Sequence, residues 1–104
     1  MNKMKYALIG CGKVAVKHLK AAAYYSLKRG RIEIVALVDT NPEAAQALIN
    51  KVGLPESLRS RIRIYTDYVE MLEKEKPELT AITAPSGAHA VIGMRAISAG
   101  SNIL

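Results

Sequence analysis

Lys5-Tyr6-Ala7-Leu8-Ile9-Gly10-Cys11-Gly12-Lys13-Val14-Ala15 is the stretch on which the fold turns. Lys5 to Gly10 reads as a short buried strand, apolar and closed by glycine. Gly10, Gly12 and Ala15 then spell G-x-G-x-x-A ahead of a helical pattern. In such a turn the first glycine permits the tight reversal, and the second lets a pyrophosphate approach the backbone. The third position must stay small so that helix and strand pack closely. A helix beginning there also presents free N–H groups and its positive dipole end to phosphates. The pattern has meaning only between a strand and a helix, and it lies between them here.

Working outward, Lys13 to Arg29 has helical spacing. Lys13, Lys17, Lys20, Tyr24 and Lys28 form a wet stripe, opposite Ala15, Leu19, Ala22 and Ala23. Gly30 supplies a left-handed cap after Lys28 and Arg29. Arg31 to Val38 is a second strand, almost continuously apolar after Glu33, as expected when both faces are covered. Thr40 or Asn41 caps the next helix, with Pro42 at its first position and Gly53 as its stop. Leu54 to Ser60 is a connector, and Arg61 to Tyr65 a third strand. Asp67 to Glu70 makes a capping box with Asp in the leading position, opening a helix that ends near Lys76-Pro77. Leu79 to Ala84 is a fourth strand, Pro85-Ser86-Gly87 a turn, and Ala88 to Ala99 a helix capped by Gly100. Asn102 to Leu104 begins a fifth strand. Strands alternating with helices over short connections require parallel pairing and right-handed crossovers. The expected class is α/β, a doubly wound parallel sheet in one domain, residues 1–104.

The 104 residues are 50% hydrophobic and 23% charged, a composition that excludes disorder. Cys11 is the single cysteine, so no disulfide scaffold exists within the chain. An unpaired thiol fits a reducing cytoplasm, the expected location. Leu79 to Ile97 is interrupted by Pro85, Ser86, His89 and Arg95, and cannot be read as a membrane span. The net charge is +6, yet residues 1–31 carry eight basic side chains and no acid, whereas the remainder is at −2. Such asymmetry suits nucleic acid. It equally suits a solvated helix face beside an anionic ligand. Phe and Trp are absent, and Arg61 and Arg63 flank a strand, which argues against a nucleic-acid surface.

Asp39 closes the second strand, and its carboxylate can accept hydrogen bonds from an adenosine ribose diol. It could instead merely open the turn before Pro42; the motif ahead of it favours the ribose. Cys11 is either a thiol sharpened by the helix dipole or a small filler, and filler is the better reading. Lys13 either steers phosphates or faces solvent. His18 reads better as a packed or capping residue than as a catalytic one. Thr83 to His89 lies where ligands bind in open α/β sheets, outside the carboxyl ends of strands. Ser86 could cap the helix there, and His89 either contacts a ligand or is simply exposed.

These pieces together resemble the N-terminal domain of the Gfo/Idh/MocA oxidoreductases, a family that includes glucose-fructose oxidoreductase and inositol dehydrogenase. The matching segments are Tyr6 to Ala15 with His18, Val38-Asp39, Tyr65-Thr66-Asp67 and Thr83 to His89, in family order along nearly the whole chain. The resemblance implies a Rossmann-type, three-layer α/β/α fold that binds a nicotinamide dinucleotide. It implies that Gly10, Gly12, Lys13, Val14 and Ala15 hold the pyrophosphate, and Asp39 with Thr40 the adenosine ribose. Thr83, Pro85, Ser86 and His89 would line the nicotinamide side. NAD is expected rather than NADP, because Asp39 repels an added ribose phosphate and Thr40-Asn41 offers no arginine.

Two departures stand out. Family members commonly read Thr-Pro-Asn where this chain inserts Ala84 before Pro85 and has Ser86 in place of Asn. The Pro-Ser-Gly form resembles members acting on sugars and sugar nucleotides. Family members also continue into a Glu-Lys-Pro motif and a substrate domain bearing the catalytic lysine and histidine; neither lies within the 104 residues. The expected function is therefore the cofactor domain of a sugar, sugar-nucleotide or polyol oxidoreductase, binding cofactor without catalysis by itself. The sugar or polyol would be met only in the full-length form. No catalytic residue and no metal ligand is assigned. A stand-alone nucleotide- or CoA-binding sensor on the same scaffold is the alternative. A homo-oligomer is expected, with neither nucleic acid nor membrane as partner.

Overall fold

Strands β1 (Met4–Ile9), β2 (Ile32–Val38), β3 (Arg63–Tyr65), β4 (Leu79–Ile82) and β5 (Asn102–Ile103) form one sheet in the order β3-β2-β1-β4-β5. Every pairing is parallel. The computed structural model that gives this arrangement describes residues 3–84 and 86–104. The helices are α1 (Ala15–Tyr24), α2 (Pro42–Val52), α3 (Glu56–Arg59), α4 (Tyr68–Glu75) and α5 (Ser86–Ser98).

The alternation of a strand divides the core in two. Tyr6 and Leu8 of β1 point to one face, where Leu19 of α1 and Leu48 of α2 cover them. Ala7 and Ile9 point to the other, against Met71 of α4 and Ile92 of α5. The chain moves from β1 to β2 to β3 with helices on the first face. It then returns past β1 to β4 and β5 with helices on the second. Right-handed crossovers demand this exchange of faces when the direction of travel reverses. The three-layer α/β/α expectation is met. Leu8, Leu19 and Leu37 are fully buried, each contributing about 1.5–3 kcal/mol by leaving water.

Local signals place most of the boundaries. Asn41, rather than Thr40, caps α2, its side chain accepting from the Glu43 N–H at 3.0 Å. Asp67 caps α4 by accepting from the Val69 N–H at 2.9 Å. Glu70 was expected to close that capping box and instead pairs with Lys74 at 2.9 Å, one helical turn on.

Elsewhere the structure departs from the pattern. The first helix does not run evenly to Arg29: Tyr25–Arg29 is a π-helical turn, in which the Gly30 N–H reaches back to the Tyr25 carbonyl. The connector after Gly53 contains the single turn α3. The third strand starts at Arg63, because Arg61 and Ile62 are still donating to carbonyls of the preceding turn. The fourth strand stops at Ile82; Thr83 still donates its N–H to the Ile9 carbonyl at 2.8 Å, and its side-chain hydroxyl turns to the Gly10 carbonyl. Ser86 and Gly87 belong to α5 rather than to a turn. A proline restrains the residue before it far more than those after it. Finally, the β1–β2 register slips between Tyr6 and Ala7, and Val35 and its neighbour Ala36 consequently pack in the same half of the core.

Candidate functional site

The sheet order reverses between β1 and β4, and the loops after these strands part to leave a cleft of about 900 Å³. Ligands in open α/β sheets bind at such a switch point. Gly10 makes the floor. Its φ is +95°, and a Cβ placed on it would sit 2.9 Å from the backbone of Thr83 and Ala84. Only glycine lets β1 and β4 close here. Thr83 ties the two ends together, its hydroxyl donating to the Gly10 carbonyl at 2.6 Å.

Gly12 differs from Gly10 in what surrounds it. A Cβ there would meet nothing within 4 Å, so its backbone faces open space in the cleft. Val14 precedes the first turn of α1 and is 63% exposed. Ala15 begins the helix and is fully buried, the close packing its small size allows.

Asp39 stands opposite, at the end of β2. Its Oδ2 accepts from the Cys11 N–H at 2.9 Å, and its Oδ1 from the Asn41 N–H at 2.9 Å. Two backbone donors therefore fix the carboxylate, leaving a lone pair on each oxygen for a ligand. Asp39 ties the glycine turn to β2 as well as beginning the turn before Pro42. The Cys11 thiol is buried and donates to the Val38 carbonyl at 3.5 Å. Burial, with Asp39 nearby, pushes it up to about 12, so at neutral pH it is an unreactive thiol. The filler reading of Cys11 fits.

Of the residues singled out in the sequence, Gly10, Gly12, Val14, Asp39, Thr40 and Thr83 line this cleft together. Lys13 and His89 are exposed and outside its lining. Pro85, and the side chain of Ser86, lie outside the described residues. Thr66, Ala84 and Ala88, in segments that matched the family but were given no role of their own, also line the cleft, as do Tyr68, Val91 and Ile92, which the pattern did not single out. Thr66 and Tyr68 follow the carboxyl end of β3, next to β2 in the sheet, so strand order was the missing signal. Among the described residues, no group of three His, Cys, Asp or Glu side chains is arranged to hold a metal. No helix among them is long and apolar enough to cross a membrane.

Residues 4–104 match the Gfo/Idh/MocA model, described as an oxidoreductase family with an NAD-binding Rossmann fold. The chain belongs to this family. It is 30% identical over 103 residues to the D-glucoside 3-dehydrogenase of Escherichia coli K12, covering 99% of this chain and 26% of that protein. It is 28% identical over 96 residues to the inositol 2-dehydrogenase of Salmonella typhimurium LT2, covering 92% and 26%. Among solved structures, the WlbA dehydrogenase of Bordetella pertussis, crystallised with NADH and UDP-GlcNAcA, superposes with a TM-score of 0.78 at 28% identity. That match covers 98% of this chain and 28% of the WlbA chain. The chain thus spans about a quarter of the length of these Gfo/Idh/MocA relatives. It is an NAD-binding Rossmann domain of an oxidoreductase family whose members include glucoside and inositol dehydrogenases.

Proposed function

We propose that this domain binds NAD in preference to NADP, and supplies the cofactor half of an oxidoreductase acting on a sugar, sugar nucleotide or polyol. Gly10, Gly12, Lys13, Val14 and Ala15 form the pyrophosphate turn, and Asp39 with Thr40 holds the adenosine ribose. Thr83, Pro85, Ser86 and His89 flank the nicotinamide. The observation that carries the reading is the fixed Asp39 carboxylate opposite the bare backbone of Gly12. That pairing fits a ribose diol on one side and a phosphate bridge on the other. A phosphate on the ribose would meet the Asp39 charge, which is why NADP is disfavoured.

When bound, the nicotinamide ring supplies the hydride acceptor or donor; the protein must then move the hydroxyl proton. The titratable groups lining the cleft are Cys11, Asp39 and Tyr68. Cys11 is held as a neutral thiol, and Asp39 is engaged with two backbone donors. Neither is poised to exchange a proton with a substrate hydroxyl. General acid–base help normally contributes about 10²–10⁴-fold, and positioning of the reactants about 7–11 kcal/mol. Tyr68 is the remaining titratable group of the cleft, and with no substrate held against it the 104-residue chain is expected to bind cofactor without turnover.

Calorimetry with NAD and NADP at fixed salt, beside an absorbance assay over a panel of sugars and polyols, tests all of this. NAD is expected to bind at least about tenfold tighter, with Asp39→Asn narrowing the gap. Equal affinities would overturn the preference. Turnover by the 104-residue chain would overturn the assignment of chemistry to another part of the protein.

Self-association belongs to the same reading. Val91, Met94 and Ile97 run along α5 at 59%, 70% and 62% exposure, an apolar stripe that starts at the cleft. β3 is also an edge strand. Apolar stripes and open edges favour pairing. Sedimentation at micromolar concentration is expected to show a dimer or larger species, and Met94→Glu to shift it towards monomer. A monomer throughout that range would contradict it.

A further inference from the structure

Helices α2 and α4 each begin under a side-chain cap, from Asn41 and Asp67, whereas α1 begins under none. Val14 stands at its N-cap position and has no side-chain oxygen to offer. The first bonds at this end of the helix run from the Ala15 N–H to the Gly12 carbonyl at 3.1 Å and from the Val16 N–H to the Lys13 carbonyl at 3.3 Å. The N–H groups of Gly12, Lys13 and Val14 have no acceptor among the described residues. What holds the turn in place therefore lies ahead of these groups.

That hold comes from the end of β2. The Gly10 N–H donates to the Val38 carbonyl at 2.7 Å, and the Cys11 N–H to Asp39 Oδ2 at 2.9 Å. Among the described residues, Asp39 is the only side chain hydrogen-bonded to the backbone of residues 11–14. Cys11 is 7% exposed, so its N–H, deprived of Oδ2, would be a desolvated donor without a partner, and the turn would have to move to reach water. The second oxygen, Oδ1, accepts from the N–H of Asn41, the residue that caps α2. The carboxylate thus braces the glycine turn against the start of α2. Asparagine could not do so, because its amide has one oxygen, and its NH2 group would face the remaining N–H donor.

We propose that Asp39, besides receiving the ribose, is the positioning residue of the pyrophosphate turn: through the Cys11 N–H it sets where the N–H groups of Gly12, Lys13 and Val14 point. The inference rests on the cofactor reading above and adds a consequence to it. A ligand that has the pyrophosphate but no ribose hydroxyls still depends on Asp39. Electrostatics alone give the opposite sign, since removing a negative charge favours an anionic ligand.

The probes are ADP and 2′,3′-dideoxy-ADP, which share base and pyrophosphate and differ only in the ribose hydroxyls. Their affinities for the 104-residue chain and for Asp39→Asn are read by calorimetry at fixed salt, beside melting curves. Asp39→Asn is expected to weaken dideoxy-ADP at least about fivefold, and ADP by more. A merely structural effect would lower Tm and leave the affinity of the folded protein unchanged. Dideoxy-ADP bound equally or more tightly by the variant, with ADP weakened, would overturn the positioning role and leave the ribose reading standing. Failure of the parent to bind NAD or ADP would strike the cofactor reading itself, and this inference with it. Hydrogen exchange in the ligand-free parent tests the anchor without any variant. After correction for intrinsic rates, the Cys11 amide is expected to exchange at least about tenfold more slowly than those of Gly12, Lys13 and Val14. Equal rates along the turn would overturn the proposal, because the Cys11 N–H would then not be held.

Discussion

Gly10→Ala is expected to lower stability by about 3 kcal/mol or more, a loss of roughly 12–24 °C in Tm for a domain this small. Two penalties combine at this one position. The φ of +95° is a conformation that side-chain-bearing residues adopt only at a cost of about 1–3 kcal/mol. The added methyl would also stand 2.9 Å from the Thr83 carbonyl carbon and the Ala84 nitrogen. These are backbone atoms, so no rotamer change relieves the contact. Overpacking of this kind adds about 1–3 kcal/mol. Relief would require β1 and β4 to separate, which breaks the Thr83 hydroxyl bond to the Gly10 carbonyl. Thermal unfolding followed by circular dichroism reads the effect directly. A variant melting within a few degrees of the parent would show that the strand ends are free to part.

Gly12→Val is expected to do the reverse: the fold stays and the cofactor is lost. Among the described residues, nothing beyond its own chain neighbours lies within 4 Å of a Cβ at Gly12, so stability should change by less than about 0.5 kcal/mol. The side chain would project into the cleft, where a pyrophosphate must come against the backbone. NAD affinity should fall by about a hundredfold or more, equivalent to about 2.7 kcal/mol. Calorimetry beside a melting curve separates the two quantities. Retained NAD binding in a folded Gly12→Val protein would mean that the dinucleotide crosses the sheet elsewhere. The contrast between the two variants is informative because the same motif contains both glycines. One meets protein and the other meets space.

What could be read from residues alone was whatever depends on neighbours in the chain. The caps at Asn41 and Asp67 were legible because a side chain need only reach two residues along. Gly30 and Gly53 were legible as helix stops because left-handed backbone favours glycine irrespective of the surroundings. The alternation of strand and helix, with short connections, left a parallel doubly wound sheet as the only economical architecture. Within the site, Gly10 and Gly12 were legible because a dinucleotide turn has fixed spacing, and Asp39 because it closes the strand that follows, although the structure added that Asp39 also anchors the Cys11 N–H.

Tertiary packing decided the rest. The slip between Tyr6 and Ala7 is invisible in a run of apolar residues that could pack on either face, and it arises only where β2 lies against β1. The π-helical turn at Tyr25–Arg29 has no local signature in a stretch that reads as regular helix. Thr66, Tyr68 and Val91 reach the cleft from segments remote in sequence because β3 ends beside β2 and α5 starts beside β4. Sequence spacing governs bonds that close within a turn or two. Contacts between distant segments depend on how whole faces fit, and a side chain's partners there are known only once the chain has folded.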